Sequence, residues 1–285
     1  MSISSRAMLV RFTVKGWTAQ KIDKRQTQDV AGRTGADPKA GKYIKDLMVG
    51  TKYVSEINKY AGATRLYSHG YTLPWDDMGD RVIPKTLVIE YKASMNKKRD
   101  SYYKQRDYIC NNYAALQQTA ANFLGDMYNP SDYPPVDEVY AKYDWRVAIK
   151  CIPKKKHLFQ DLADQDMEEM REELTEDLDK ENAEKTAKAM SGAWHRLHGT
   201  LSTMSEKLTE TGKKRHWHDS FVTNPKELCD LLGHLNVTGD PKLNSARVML
   251  ERTMSGADLD SIKESPATRE DMKVKVDSII SQFDW

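Results

Sequence analysis

The charges of this 285-residue chain are segregated along the sequence. Residues 1–160 carry 27 Lys and Arg against 16 Asp and Glu, a net charge of +11, whereas residues 161–185 carry 3 against 12, a net charge of −9. Within the acidic segment, apolar side chains recur at steps of three and four residues, which predicts a long amphipathic helix. These apolar positions are Met167, Met170, Leu174 and Leu178. The overall charge of +2 therefore conceals two opposed fields, and the basic field attracts polyanions.

Composition indicates a globular protein with 39% hydrophobic and 30% charged residues. No apolar run approaches the roughly 20 residues of a membrane span, and the opening residues lack the apolar core and cleavage site of a secretory signal. Cys110, Cys151 and Cys229 lie far apart and form no C-x-x-C pair, which predicts free thiols in a reducing compartment. We therefore expect a cytoplasmic protein, including one of an infected cell, with no membrane partner.

Two segments show the alternating pattern of strands. Over residues 7–15 and 144–152, apolar side chains alternate with polar and basic ones, which predicts strands with one apolar and one basic face. Residues 69–84 are rich in turn formers and predict a loop. Helical patterns cover most of the rest, so we expect an α+β fold that is predominantly helical with a few strands. The predicted helices span residues 19–30, 52–67, 85–127, 136–143, 225–235, 241–254 and 266–283, beside the acidic helix that starts at Asp161.

The change of charge near residue 160 predicts two modules. Residues 1–160 are expected to form a basic nucleic-acid-binding module. Residues 161–285 are expected to form a helical module whose acidic helix, with a break near Gly192, serves oligomerisation or partner docking. The amphipathic acidic helix and the short terminal helices favour a homo-oligomer.

Cations and aromatic residues are interleaved in the basic module. If the two strands pair, their basic faces adjoin. Single-stranded nucleic acid is bound by this combination, with cations along the phosphates and rings that stack on unpaired bases. The candidates for phosphate contact are Arg11, Lys15, Arg33, Lys42, Lys45, Arg146, Lys150, Lys154, Lys155 and Lys156, and those for base stacking are Trp17, Tyr43 and Tyr103.

An acidic cluster leaves a catalytic alternative open. Asp77, followed by Glu90 and Lys92, fits an arrangement in which carboxylates hold Mg²⁺ and a lysine lies near the attacking water. Such sites usually place the E-x-K sequence on a buried strand, whereas this segment predicts helix. The histidines at 195, 198, 216 and 218 have none of the tight spacings of zinc motifs. The favoured interpretation therefore includes no catalytic residue, no metal and no cofactor.

Two segments carry a resemblance to a known family. They are residues 34–43 (TGADPKAGKY) and 71–84 (YTLPWDDMGDRVIP), in a chain whose opening strand leads into Gly16-Trp17. Over about the first 150 residues, the chain resembles phage-encoded single-stranded-DNA-binding RNA polymerase cofactors of the Drc type, from enquatrovirus-like bacteriophages. The resemblance implies a non-enzymatic protein whose fold is not the OB-fold of the usual single-strand binders. It also implies binding to unwound promoter DNA and recruitment of a phage RNA polymerase for middle-gene transcription.

We therefore expect an early viral protein that binds single-stranded DNA and assists a phage RNA polymerase in the cytoplasm of the infected bacterial host. A Mg²⁺-dependent nuclease built on Asp77, Glu90 and Lys92 is one alternative. A phage regulator whose basic face binds an acidic host protein is a second. A third is a structural or assembly protein, which would form a large oligomer without binding DNA.

Overall fold

The computed structural model describes residues 3–154, 168–209, 217–283 and 285. Helix accounts for 68% of these residues, beside an antiparallel sheet of four strands and a second sheet of two. Within the described ranges no sheet closes into a barrel. The expectation of a predominantly helical α+β fold, distinct from an OB-fold, is confirmed.

The helices and strands alternate irregularly along the chain. The strands are β1 (Ala7–Lys15), β2 (Gln20–Ile22), β3 (Ile44–Asp46), β4 (Leu73–Pro74), β5 (Arg81–Pro84) and β6 (Asp144–Lys150). The helices are α1 (Ile3–Arg6), α2 (Lys24–Thr34), α3 (Tyr53–Gly70), α4 (Val88–Asn111), α5 (Tyr113–Leu124), α6 (Val136–Ala141), α7 (Glu168–Thr209), α8 (Ser220–Leu235), α9 (Pro241–Met254), α10 (Leu259–Glu264) and α11 (Pro266–Gln282).

The larger sheet has the strand order β4-β5-β1-β6. Strand β1 spans the predicted residues, and it pairs antiparallel with β5 in a register that sets Ala7 opposite Pro84 and Val10 opposite Arg81. Strands β4 and β5 form a hairpin in which Leu73 faces Val82. The predicted loop at residues 69–84 therefore contains two short strands, because its turn formers occupy only the tip of this hairpin.

The chain divides into two compact units, each assembled from separated segments. We call Phe12–Ser68 with Lys92–Val147 the basic unit, because it carries 19 Lys and Arg against 12 Asp and Glu, a net charge of +7. We call Met1–Arg11, His69–Tyr91 and Ala148–Trp285 the acidic unit, which carries 25 against 30, a net charge of −5. These structural units follow different boundaries from the charge-based division at residue 160.

Each unit has a core of its own. In the basic unit, Ile57, Tyr102 and Ile109 have no accessible surface. In the acidic unit, Leu197 and Leu201 of α7 belong to a cluster formed with residues of α8, α9 and α11. This packing keeps α7 continuous through Gly192, where the sequence predicted a break.

Three helix boundaries differ from the prediction. Helix α2 begins only at Lys24, because Asp23 caps it by accepting a hydrogen bond from the Gln26 amide at 3.0 Å. The predicted helix over 85–127 is interrupted at Asn112, which separates α4 from α5. Helix α8 begins at Ser220, a full turn before Pro225, although proline is favoured in the first turn of a helix.

Two glycines of α7 offer a matched test of how this helix packs. A Cβ atom on Gly192 would lie 2.9 Å from Cδ of Pro74, whereas a Cβ atom on Gly199 would meet no atom within 4 Å. Both Gly→Ala changes gain the same helix propensity, so the difference in their stability isolates the steric clash. We expect Gly192→Ala to be less stable than Gly199→Ala by about 1–3 kcal/mol in urea unfolding. Equal stability of the two variants would mean that α7 and β4 are not in close contact.

Candidate nucleic-acid interface

The segment TGADPKAGKY forms a loop that is tied back to α2. Gly35 ends α2 in the left-handed conformation at φ 67°, and the Asp37 carboxylate accepts a hydrogen bond from the Lys39 amide at 2.7 Å. The Tyr43 amide then donates to the Thr27 hydroxyl at 2.9 Å, and the Tyr43 carbonyl accepts from the Asp23 amide at 2.9 Å. The backbone on both sides of the Tyr43 ring is therefore fixed.

This loop and α2 enclose a pocket of about 340 Å³ in the basic unit. Its walls are largely apolar, and the Tyr43 ring is 38% exposed at its edge. Lys42 lines the pocket, while Arg33 and Lys39 are exposed on the segments that form it. Throughout the described part of the chain, none of these three cations has an ion pair. The pocket thus brings together two predicted site residues, Lys42 and Tyr43, whereas Arg33 is exposed on α2 and does not line it. The pocket-lining apolar residues are Val30, Ala31, Ala36, Pro38 and Ala40.

Strands β1 and β6 are neighbours, as predicted, and their basic residues lie on partly or fully exposed positions. In the basic unit, Lys15 is exposed, and the Arg146 side chain is 77% exposed with an ion pair to Asp144 at 3.0 Å. In the acidic unit, Arg11 and Lys150 are both engaged by one carboxylate, that of Asp80. Three of the four predicted cations on these strands therefore have an ion pair within the fold, and Lys15 has none among the described residues.

Asp80 is presented by the tip of the β4–β5 hairpin. The Asp76 carboxylate accepts hydrogen bonds from the amides of Met78 at 3.0 Å and Asp80 at 2.8 Å, which fixes the turn. Asp80 then accepts from Arg11 Nε and from Lys150 Nζ, each at 2.7 Å. Burial alone would raise the pKa of Asp80, but these two hydrogen bonds outweigh burial and hold the pKa below its usual value. The Asp80 carboxylate is therefore ionised at neutral pH, and it is the anion that Arg11 and Lys150 contact within the fold.

Lys45 was predicted to contact phosphates, and this prediction is wrong because its side chain is buried. Its ammonium forms ion pairs with Asp132 and with Asp23, the latter at 3.5 Å, and donates to the Met127 carbonyl at 2.8 Å. Burial would raise the pKa of Asp132, yet hydrogen bonds from Lys21 and Lys45 lower it overall. Lys45 is a structural cation that joins β3 to the segment after α5.

Trp17 was predicted to offer an exposed ring, and this prediction is also wrong. The side chain is 6% exposed, and its ring centroid lies 5.9 Å from that of Tyr113. The alternation of β1 ends at Lys15, so Trp17 no longer shares the face of the basic residues. Its carbonyl accepts a hydrogen bond from Asn58 Nδ2 at 2.9 Å, which fixes the turn towards the core.

The remaining candidates have varied environments. Tyr103 is half-buried, and the Arg106 guanidinium lies over its ring at 4.2 Å and over the Tyr140 ring at 3.9 Å. Arg106 therefore covers part of the Tyr103 surface that a base would need. Lys154 is exposed, whereas Lys155 and Lys156 lie outside the described residues.

The acidic helix lies only partly within the described ranges. Met167 and the side chain of Met170 are outside the description, Leu174 is 39% exposed, and Leu178 lines a cavity in the acidic unit. The Asp and Glu residues described between 172 and 184 are exposed. This helix therefore presents an acidic surface, while its docking or oligomerisation role stays a prediction.

The geometry of the nuclease candidates does not assemble a metal site. Glu90 and Lys92 are two residues apart on α4, so they project about 200° apart around the helix. The Glu90 carboxylate accepts from the Tyr71 hydroxyl at 3.1 Å, and the Asp77 carboxylate pairs with Lys188 at 2.6 Å on the surface. Across the described ranges, no three His, Cys, Asp or Glu side chains cluster in a way that could hold a metal ion. His216 lies outside those ranges.

We expect Asp80→Asn to destabilise the protein by about 1–3 kcal/mol at neutral pH, because it removes a charged acceptor from two cations. A carboxylate whose pKa is lower in the folded state than in the unfolded state stabilises the folded protein at pH values above the unfolded pKa of about 3.9. This stabilisation is lost as the pH falls through the pKa of the folded state. The difference between wild type and variant in urea unfolding should therefore shrink below about pH 4. Asp77→Asn, on the same turn but 93% exposed, is the matched control and should show little change.

The burial of Trp17 gives a second prediction. Trp17→Ala should lower the free energy of unfolding by about 3–5 kcal/mol in urea denaturation, because it leaves a large cavity in the core. Trp17→Phe, which retains a ring beside Tyr113, should lose less. A Trp17→Ala variant of unchanged stability that had lost affinity for nucleic acid would instead identify Trp17 as a contact residue.

The described residues contain no helix long and apolar enough to cross a membrane. We infer what the interface can bind from the cations, the exposed ring and the pocket described above. Comparison with protein-family models, with curated proteins and with solved structures finds no match to this chain.

Proposed function

We propose that the protein binds single-stranded DNA through the basic unit and assists a phage RNA polymerase at unwound middle promoters. The observation that carries the proposal is the pocket of residues 27–43, which is lined by the exposed Tyr43 ring and by Lys42, a cation with no ion pair among the described residues. The +7 net charge of the basic unit supplies the surrounding attractive field.

The pocket fits an unpaired base better than a duplex. A base in a duplex is stacked on both faces and cannot reach a ring at the edge of a closed pocket, whereas an unpaired base can stack on Tyr43 at a gain of about 1–3 kcal/mol. We propose that Lys42, which lines the pocket, and Arg33 and Lys39, which are exposed on the segments that form it, contact the phosphates of the bound strand. Affinity from such contacts falls with salt, because each neutralised phosphate releases counterions.

The cooperation with a phage polymerase rests on the resemblance of residues 34–43 and 71–84 to Drc-type cofactors. In this chain the first segment forms the Tyr43 loop, and the second forms the hairpin that presents Asp80. The resemblance also implies that neither segment carries a catalytic motif. We accordingly propose a non-enzymatic protein that acts in the cytoplasm of the infected host as a homo-oligomer.

Fluorescence anisotropy with a labelled oligothymidine and its duplex tests the proposal. We expect tighter binding to the single strand and a steep loss of affinity with salt. Tyr43→Leu should weaken single-strand binding by about 1–3 kcal/mol, roughly 5- to 150-fold, whereas Tyr43→Phe should retain it because the stacking ring remains. Arg33→Gln and Lys42→Gln should each reduce the slope of log affinity against log salt by about 0.7.

Lys226→Gln is the control for charge, because Lys226 is an exposed cation on α8 of the acidic unit. It should leave both affinity and salt slope close to the wild-type values. Equal affinity for single strand and duplex would reveal a general polyanion binder and contradict the role of the pocket. Binding that is absent altogether would favour a regulator of an acidic host protein, and Mg²⁺-dependent cleavage would favour the nuclease.

A further inference from the structure

The acidic unit contains a second concave site, between α7 and α8. This cavity has a volume of about 610 Å³, within the range of about 300–1,000 Å³ that is typical of small-ligand pockets. Its floor is apolar and is formed by Met204 of α7 together with Phe221, Leu228 and Leu231 of α8. Two of these, Leu228 and Leu231, are only partly buried, so the floor is accessible from the cavity.

The ionisable side chains that line the cavity are all basic. His69, His195, Arg196 and Lys207 line it, and the described lining includes no Asp or Glu. Arg196 and Lys207 lie on α7 three turns apart, with Gly199 and Thr200 on the wall between them. A ligand in the cavity therefore meets cations and apolar side chains but no competing carboxylate from the described residues.

Arg196 is a half-buried cation whose guanidinium is held by three backbone carbonyls. Nη1 donates to the Gly70 carbonyl at 2.8 Å, and Nη2 donates to the His69 carbonyl at 2.6 Å and to the Thr72 carbonyl. Burial, followed by repulsion from Arg81, lowers the pKa of Arg196 to about 10. Burial and the same two guanidinium groups lower the pKa of His69. With both Nη atoms engaged by carbonyls, Arg196 contributes positive charge to one end of the cavity.

We propose that this cavity binds a small organic anion with an apolar body, of the class of medium-chain carboxylates. The carboxylate would lie near Lys207, and the alkyl chain would cover Phe221, Leu228 and Leu231. Each part of such a ligand matches one part of the cavity: an inorganic anion would leave the apolar floor in water, and a neutral alkyl compound would leave Lys207 without a counter-charge.

The site is independent of the proposed DNA-binding function. Every residue of the cavity belongs to the acidic unit, whereas the Tyr43 pocket belongs to the basic unit. Loss of carboxylate binding and loss of single-strand binding can therefore be measured separately on the same full-length protein.

Isothermal titration calorimetry with decanoate, decanol and inorganic phosphate tests the proposal on the full chain. We expect saturable 1:1 binding of decanoate, at least about tenfold weaker binding of decanol because the charged contacts are lost, and no binding of phosphate. Lys207→Gln should weaken decanoate binding about three- to tenfold, with little effect on decanol. Lys226→Gln, an exposed cation on α8 outside the cavity, should leave decanoate binding unchanged.

A variant that fills the cavity tests the location. Thr200→Trp places a large ring in the wall and should abolish decanoate binding; its fold is checked by circular dichroism and by unchanged single-strand binding. If Thr200→Trp is not folded, Leu228→Trp on the opposite wall provides the same test. Equal affinity for decanoate and decanol would overturn the proposal by showing an apolar cavity only. Binding of phosphate, or decanoate binding that survives both variants, would overturn it as well.

Discussion

The Asp80 carboxylate holds the positively charged side chains of two neighbouring strands, β1 and β6, in place. It is 6% exposed, and it accepts hydrogen bonds from Arg11 of β1 and Lys150 of β6, each at 2.7 Å. A buried carboxylate without such partners would lose several kcal/mol to desolvation, so the pairing fixes both cations as part of the fold. Asp132 does the same for Lys21 and Lys45 in the basic unit. Carboxylates within the fold thus determine which cations remain free of ion pairs. The cations around the Tyr43 loop have no carboxylate partner among the described residues.

These ion pairs change how the charge pattern of the sequence is interpreted. Along the sequence the basic excess extends over residues 1–160, but the fold assigns residues 1–11 and 69–91 to the same unit as the acidic helix. The hairpin of residues 73–84 brings Asp76, Asp77 and Asp80 with it, and Asp80 neutralises part of the basic sheet face. The net charge of +7 that remains in the basic unit is smaller than the sequence total suggests, yet it is borne by a compact body. A compact charge of this kind produces a stronger local field than the same charge spread along an extended chain.

The sequence was sufficient to predict the bounds of an element wherever one local pattern dominates. Strand β1 and helix α9 have the predicted bounds, because period-2 alternation defines the first and Asp240 followed by Pro241 defines the start of the second. Trp17 and Lys45 could not be placed from sequence, since their burial depends on Tyr113 and Asp132, which are about ninety residues away. The roles of Asp80 and Arg196 also depend on contacts that are distant in sequence. Asp80 contacts Lys150, and Arg196 contacts the Gly70 carbonyl. Local periodicity carries no information about such partners, so the balance of free and neutralised cations emerges only from the fold.

The Tyr43 loop illustrates how a short motif can prepare a ligand site without a catalytic group. Gly35 supplies the left-handed residue that ends α2, Asp37 closes the next turn, and Thr27 anchors the Tyr43 amide. The backbone amide and carbonyl of Tyr43 are thus held independently of its ring, whose hydroxyl donates to Met127 Sδ at 3.6 Å. An aromatic ring held at 38% exposure loses hydrophobic stabilisation that it would gain in the core. In the binding mode proposed above, a base would meet a surface that is already ordered, and binding would not have to offset the entropy of fixing the loop. The rigidity of this loop, more than the total charge around it, is what would distinguish an unpaired base from any other polyanion.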